Sequence, residues 1–414
     1  MKRLFSFFLI VVLLLNTFLP MQVKAQSITG PWTWTDISSQ ITHRTNRPLW
    51  AIGYASGSWF YTDGLIPIGS LGQVYRYDGF IQTNITEDIV TAGLTRVDDI
   101  VTDGQTVLFL QGVVSWSNYL LGIVAYQNGQ YVNVTEAVKS VLASNEGVSQ
   151  IVGRHGNWRI ITTKGRLLGW DGSSSPAFEI PLPAVITDVW NRYQSLDSYK
   201  QRMLYNAADS YTLAPLKIQP MNDTEWVIQV VDEKEHTYEA YNSTWVVPVT
   251  HFYRVTQNNI VDTSSISDFW SGDMIASNGD EVLVVEHGST RPYYYIHSLS
   301  SRGAKGLHGE PLVNFHYSDI QLRASWNGKS WMVLSLESGS NYPKAAYRFD
   351  PNSPVNALLE ARFPIKDYLF ALASDQNGRT LLGGAVSNMG MTGYLLPLTA
   401  KLVMVTEDVS TSRP

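Results

Sequence analysis

Bulky apolar residues recur along this chain in short alternating runs, and small or polar residues break the runs at regular distances. A turn centred on Gly or Asp is followed, two or three residues on, by a large apolar side chain. This happens seven times: Gly57 before Trp59, Gly104 before Val107, Gly156 before Trp158, Asp223 before Trp226, Gly279 before Val282, Gly328 before Trp331 and Gly378 before Leu381. The intervals are 47, 52, 67, 56, 49 and 50 residues. Alternation with a period of two marks strands with one buried face. A repeat of about 40–50 residues built from strands and tight turns marks a β-propeller, one copy per blade. Seven copies predict an all-β fold, a seven-bladed β-propeller of four-stranded antiparallel blades.

A second landmark follows the first. Gly72 to Tyr77 alternates, Asp78-Gly79 turns, and Phe80 to Thr86 reads as the next strand. Blade two repeats this with Ile123 to Tyr126, Asn128-Gly129 and Tyr131 to Thr135; blade three with Leu168 to Trp170, Asp171-Gly172 and Ala177 to Leu182. Asp-Gly and Asn-Gly suit hairpins because both turn positions take positive φ. One mark joins the inner strands of a blade and the other its outer strands. The inner strands are rich in small residues, as at Ala51 to Ser56, Ala324-Ser325 and Ala371 to Ser374, where strands converge on an axis.

The blades are expected at about 38–86, 87–135, 136–183, 184–265, 266–314, 315–363 and 364–408. Residues 31–38 (PWTWTDIS) resemble an outer strand and are expected to pair with the last blade, closing the ring. Lys401 to Thr406 would then be displaced or add a fifth strand. Blade four carries an insertion at about 190–215, with a helix expected from Leu196 to Ala208, capped by Ser195, on an apolar stripe of Leu196, Tyr199, Met203, Leu204 and Ala207. It lies on the face where inner strands begin.

Composition adds the compartment. Lys2-Arg3, the apolar run Leu4 to Leu15 and the small-residue site Val23-Lys24-Ala25 read as a secretory signal over residues 1–25. The propeller then spans 26–408, and 409–414 is a disordered tail. Without Lys2, Arg3 and Lys24 the chain has 27 basic and 36 acidic side chains, a net charge of −9. That surplus argues against nucleic acid, whose binding needs basic surface. No later segment is long and apolar enough for membrane insertion. The absence of cysteine excludes disulfides, thiolate catalysis and Cys-ligated metals. The expected location is secreted, periplasmic or extracellular, in a bacterium.

Local catalytic motifs are missing. The eight histidines show no metal-ligand spacing, there is no Gly-x-Ser-x-Gly elbow, and no loop cradles phosphate. Asp78, Asp103 and Asp171 stand alone before Gly, which suits turns better than calcium loops. Neither metal nor cofactor is expected. Residues 374–381 read Ser-Asp-Gln-Asn-Gly-Arg-Thr-Leu. This partly resembles the Asp-box of sialidase-like propellers, Ser-x-Asp-x-Gly-x-Thr-Trp, with Ser374, Gly378 and Thr380 matching. Asp-boxes are structural turns, so the resemblance implies fold and no catalytic site. The nearest relative of the sialidase Arg-Ile-Pro motif, Arg291-Pro292, lacks the Ile and lies in blade five. The chain broadly resembles kelch-type and related secreted bacterial propellers, without the double Gly of kelch repeats or the Gly-His and Trp-Asp marks of the WD class.

Two functional expectations follow. The first is a binding or scaffolding propeller that takes a protein or polysaccharide at the cell surface through the strand-entrance face. Its candidate contacts are Trp190, Arg192, Tyr193 and Tyr199 on the insertion, Asp268, Phe269 and Trp270 before the fifth inner strand, Arg291, and the Tyr293 to Tyr295 run. The alternative is a glycan-active hydrolase or lyase with carboxylates near the axis, for which Asp98, Asp99, Asp188 and Asp268 lie near inner-strand entrances. A purely structural envelope role is a third expectation.

Overall fold

A computed structural model of the chain describes residues 26–27, 32–40, 49–63, 72–112, 122–195, 216–238, 243–256, 260–262, 271–287, 294–300, 303–306, 320–337, 345–349, 361–362, 367–387 and 398–407. Two short strands come first, β1 (Gln26–Ser27) and β2 (Trp32–Asp36). Blade one is β3 (Ala51–Ala55), β4 (Ser58–Thr62), β5 (Val74–Tyr77) and β6 (Gln82–Asn84); helix α1 (Thr86–Thr91) follows it. Blade two is β7 (Asp99–Thr102), β8 (Val107–Gln111), β9 (Gly122–Gln127) and β10 (Gln130–Asn133), followed by α2 (Thr135–Lys139). Blade three is β11 (Val148–Arg154), β12 (Asn157–Thr162), β13 (Leu167–Trp170) and β14 (Phe178–Ile180), followed by α3 (Ala184–Ser195). Blade four is β15 (Leu216–Pro220), β16 (Trp226–Tyr238), β17 (Ser243–Val255) and β18 (Ile260–Asp262). Blade five is β19 (Ser271–Ser277), β20 (Glu281–His287), β21 (Tyr294–Ser300) and β22 (Gly303–Gly306). Blade six is β23 (Ile320–Trp326), β24 (Trp331–Glu337), β25 (Ala345–Phe349) and β26 (Ala361–Arg362). Blade seven uses β27 (Asp367–Ser374), β28 (Arg379–Ser387) and β29 (Leu398–Glu407).

Each blade is an antiparallel sheet in chain order, and each inner strand touches the next all the way from β3 through β27 and back to β3. The seven repeat turns all fall between the first and second strands. The ring closes as the 31–38 reading expects, with β2 beside β29 from Trp32↔Glu407 to Asp36↔Val403. One part of that reading needs correcting. Lys401 to Thr406 is neither displaced nor a fifth strand: it is the third strand of blade seven, between β28 and β2. The fifth strand is β1.

The turns come in two kinds, for physical reasons. In blades one and three the hairpin turns on two residues with positive φ, Ser56-Gly57 (50° and 77°) and His155-Gly156 (46° and 82°). In the other blades an Asp or Asn caps the turn with its own carboxyl or amide oxygen. Asp103 Oδ1 accepts the N–H of Gln105 (2.8 Å) and Thr106 (2.6 Å). Asn222, Asn278, Asn327 and Asp375 do the same to the N–H groups two and three or four residues on. These oxygens are spent on backbone, so the Asp-Gly positions are turn caps, as expected.

Neighbouring turns also bond to each other. Ser56 Oγ donates to Gln105 O (2.7 Å), Gly156 N–H to Asp103 Oδ2 (2.7 Å), and Gly378 N–H to Asn327 O (2.8 Å). Asp223 Oδ1 takes both Arg154 Nε (2.8 Å) and His155 Nδ1 (2.9 Å). Large aromatics fill the blade interfaces behind this ring: Trp59, Trp158 and Trp331 are fully buried. Three interfaces add an Arg over an aromatic face, Arg379 on Trp59 (4.9 Å), Arg76 on Tyr126 (5.7 Å) and Arg159 on Trp226 (4.8 Å).

The outer strands end sooner than the sequence pattern suggests. Phe80 to Thr86 yields only the three residues of β6, and Thr86 already opens α1. Asn84 Oδ1 accepts Thr86 N–H (2.9 Å), while Thr86 Oγ1 accepts Val74 N–H (2.9 Å) across the blade. Asn133 and Thr135 repeat this against Ile123, and Asp36 and Ser38 repeat it against Leu402. An Asx-x-Ser/Thr step therefore ends the outer strand in three blades and turns the chain into a helical segment.

Candidate functional site

In this topology the turns above share one face, and the strand-entrance face is the opposite one. Two features of blade four stand there. The first is α3, which runs over 184–195 and so precedes the helix expected from Leu196, whose residues lie outside the described ones. Ile186, Val189 and Trp190 pack it onto Leu216, Ile218, Trp226, Ile228 and Val230. The second is the β16–β17 hairpin. Both strands have 13 residues, against four to ten for the remaining second and third strands. β15 accompanies β16 only up to Val230, and β18 accompanies β17 only from Tyr253 on. Beyond those points no third strand joins the pair among the described residues, and its register is unbroken to Tyr238↔Ser243. Residues 231–238 make an arm of about 26 Å at 3.3 Å per residue. Arg192 Nη2 on α3 bonds Asp232 Oδ2 at the root of the arm (2.6 Å). The Asp232 bond is the largest influence on the Arg192 guanidinium and raises its pKa above the ordinary value.

The candidates on α3 separate by exposure. Trp190 is buried, with its indole against Gly165, where a Cβ would lie 2.2 Å from Cε2. Its ring centroid is 5.7 Å from that of Tyr193, which is half-buried. Arg192 and Asp188 are exposed. Trp190 thus anchors the helix, and Tyr193, Arg192 and Asp188 are its accessible groups. Asp98 is buried and committed: it accepts Arg96 Nε and the N–H of Gly112 (2.6 Å). Asp188 and Asp98 sit on separate elements, with no contact between them among the described residues. Tyr199, Asp268, Phe269, Trp270, Arg291 and Tyr293 lie outside the described residues. No cluster of three or more His, Cys, Asp or Glu suited to a metal occurs among the described residues.

The axis holds a second arrangement, which a search for local motifs misses. In each blade one inner-strand residue pairs with the position three beyond the bulky signature residue. Around the ring these are Ala51, Asp99, Gln150, Lys217, Asp273, Arg323 and Leu369. One register level of the ring therefore carries two acids, two bases and an amide. Gln150 Oε1 accepts Ile218 N–H (2.8 Å) and Lys217 is buried. Asp99 and Arg323 are half-buried and feel each other's charge, although blades seven and one separate their blades on the shorter way round. Burial pushes the Asp99 carboxyl up, with Arg323 partly opposing it, and burial pulls the Arg323 guanidinium down. The level lies five, six or nine residues before the repeat Gly or Asp, so pairing across strands is what exposes it.

No protein-family model matches the chain, and no curated protein matches it in sequence. Solved structures do. YCF48 from Cyanidioschyzon merolae is 9% identical at a TM-score of 0.45, covering 90% of this chain and 98% of that one. A Mycobacterium tuberculosis puromycin-hydrolyzing peptidase is 12% identical at 0.49, covering 89% of this chain and 52% of the peptidase. The β-propeller domain of the Trilobed protease from Pyrococcus furiosus is 8% identical at 0.48, covering 88% and 99%. Likeness at this level carries no functional argument.

Proposed function

We infer that this chain is an extracytoplasmic binding propeller that takes a protein partner on its strand-entrance face, through α3 and the β16–β17 arm. The arm carries this reading. Among the described residues both its edges lack a paired strand beyond Val230 and Tyr253. Free strand edges recruit extended segments of other chains, with backbone bonds supplying affinity. Arg192 and Tyr193 flank its root with a cation and an aromatic, both favoured interface anchors. A protein is preferred to a polysaccharide because Trp190, the insertion's best sugar platform, is buried. The leader-like residues 1–25 support export.

The test shortens the arm, joining Asp232 to Val249 through a two-residue turn, and compares crosslinked partners in the envelope of producing cells. The reading expects the crosslinks to vanish while the melting temperature holds. Unchanged crosslinks would refute it. Amino-terminal sequencing of exported protein should begin at Gln26.

A further inference from the structure

We propose that Asp99 and Arg323 form a binding site on the propeller axis for a small zwitterion, a molecule carrying both an ammonium and a carboxylate. This site is separate from the arm and does not rest on the protein-binding reading.

The argument starts from register. Asp99 and Arg323 occupy the same level of the ring, each four residues before the Asx cap of its own turn, Asp103 and Asn327. Inner strands converge on the axis, so equal level on non-adjacent blades brings the two side chains to face one another across it. Both are half-buried, which means they line accessible space. No ion pair joins them among the described residues, yet Asp99 is the charge that Arg323 responds to. A structural strut would close into a direct pair; these two charges are held apart.

Their bonding capacity is largely unspent. Asp99 Oδ1 accepts the N–H of Ile100 (2.8 Å). Arg323 makes no hydrogen bond among the described residues and so offers a planar fork of five donors, which matches a carboxylate bidentately. None of the Arg323 nitrogens is sealed from solvent, so a ligand can reach them. A lone anion at Arg323 meets the repulsion of Asp99, and a lone cation at Asp99 meets that of Arg323, with Lys217 on the same level. A ligand with both charges satisfies both residues and restores the solvation that burial removes. Gln150, tied to Ile218, and Lys217, which already has contacts, are wall rather than ligand groups.

The experiment measures melting temperature and calorimetric binding of the full chain with glycine, β-alanine and longer ω-amino acids, a series that varies the charge separation. Acetate, methylammonium, N-acetylglycine and glycinamide serve as probes with one charge removed. One or more zwitterions should bind and raise the melting temperature, and the single-charge probes should not. Arg323→Gln and Asp99→Asn should each weaken binding by about tenfold or more, equivalent to ~1.4 kcal/mol. Arg323→Lys, which keeps the charge, should retain part of the affinity, and circular dichroism reports folding of each variant. The probe series on the unaltered chain decides the matter even if a variant misfolds. No binding by any zwitterion overturns the proposal, as do equal binding by acetate or methylammonium and undiminished binding in both neutralised variants.

Discussion

The two faces of the ring obey different rules. On the turn face every blade solves the same problem, reversing an inner strand, with one of two devices, and adjoining turns donate to one another's carbonyls and carboxylates. On the strand-entrance face blade four departs from its neighbours, with a 12-residue helix and an arm that outruns its own blade. Uniformity marks what the ring needs in order to be a ring. Departure marks what it can change without losing the ring, and that is where recognition can be placed.

This contrast can be broken from the turn side first. Trp331→Ala, just behind the blade-six turn, empties a fully buried site and should cost about 3–5 kcal/mol, read by chemical denaturation. Glu407→Gln should cost about 3 kcal/mol, because Glu407 is buried and gathers Arg348, Asn327 Nδ2 (2.9 Å) and Ser330 Oγ (2.8 Å) beside the closing strand. The same carboxyl gives a pH test. Burial alone would raise it, but the bonds from Arg348, Asn327 and Ser330 outweigh burial and hold it below its usual value. A folded-state value below the unfolded one contributes stability at neutral pH that is lost as pH falls through the carboxylate range. The unaltered chain should therefore lose more stability between pH 6 and about 3 than Glu407→Gln does. Asp103→Ala removes the cap and the link to Gly156 and should cost about 2 kcal/mol. Gly57→Ala, at φ 77° with open space around the new methyl group, should cost about 1 kcal/mol from backbone strain alone. Shortening the arm should move stability by less than about 0.5 kcal/mol. A large loss there would erase the distinction between the faces.

Most of the ring was legible. Gly before a bulky apolar residue is a local signal, because a tight turn and the first buried position after it are set by neighbouring residues. The closing strand was legible too, since PWTWTDIS shares the outer-strand pattern of FIQTNIT. The ends of outer strands were not. Ile85 and Thr86 are β-branched and read as strand, whereas the Thr86 hydroxyl is drawn to Val74, twelve residues back. Helix α3 went unread for a related reason: Ile186, Val189 and Trp190 are held by blade-four strands that come later in the chain. Asp98 and Asp99 both stood out as acids at a strand start, and of the two Asp99 holds the axial position. Only pairing across strands tells the two apart.

The closing strand also sets a timetable. Asp36 accepts from Lys401 Nζ (2.7 Å) across a separation of 365 residues. At 5–20 residues per second, the ribosome delivers β29 roughly 20–70 s after β2 has been made. During that interval β2 has only the two-residue β1 beside it, and six blades can assemble while the seventh waits. The final step of folding is then a docking of the two chain ends, slow because it joins the most distant contacts. Until β29 arrives, one apolar, tryptophan-bearing strand must be kept from pairing elsewhere.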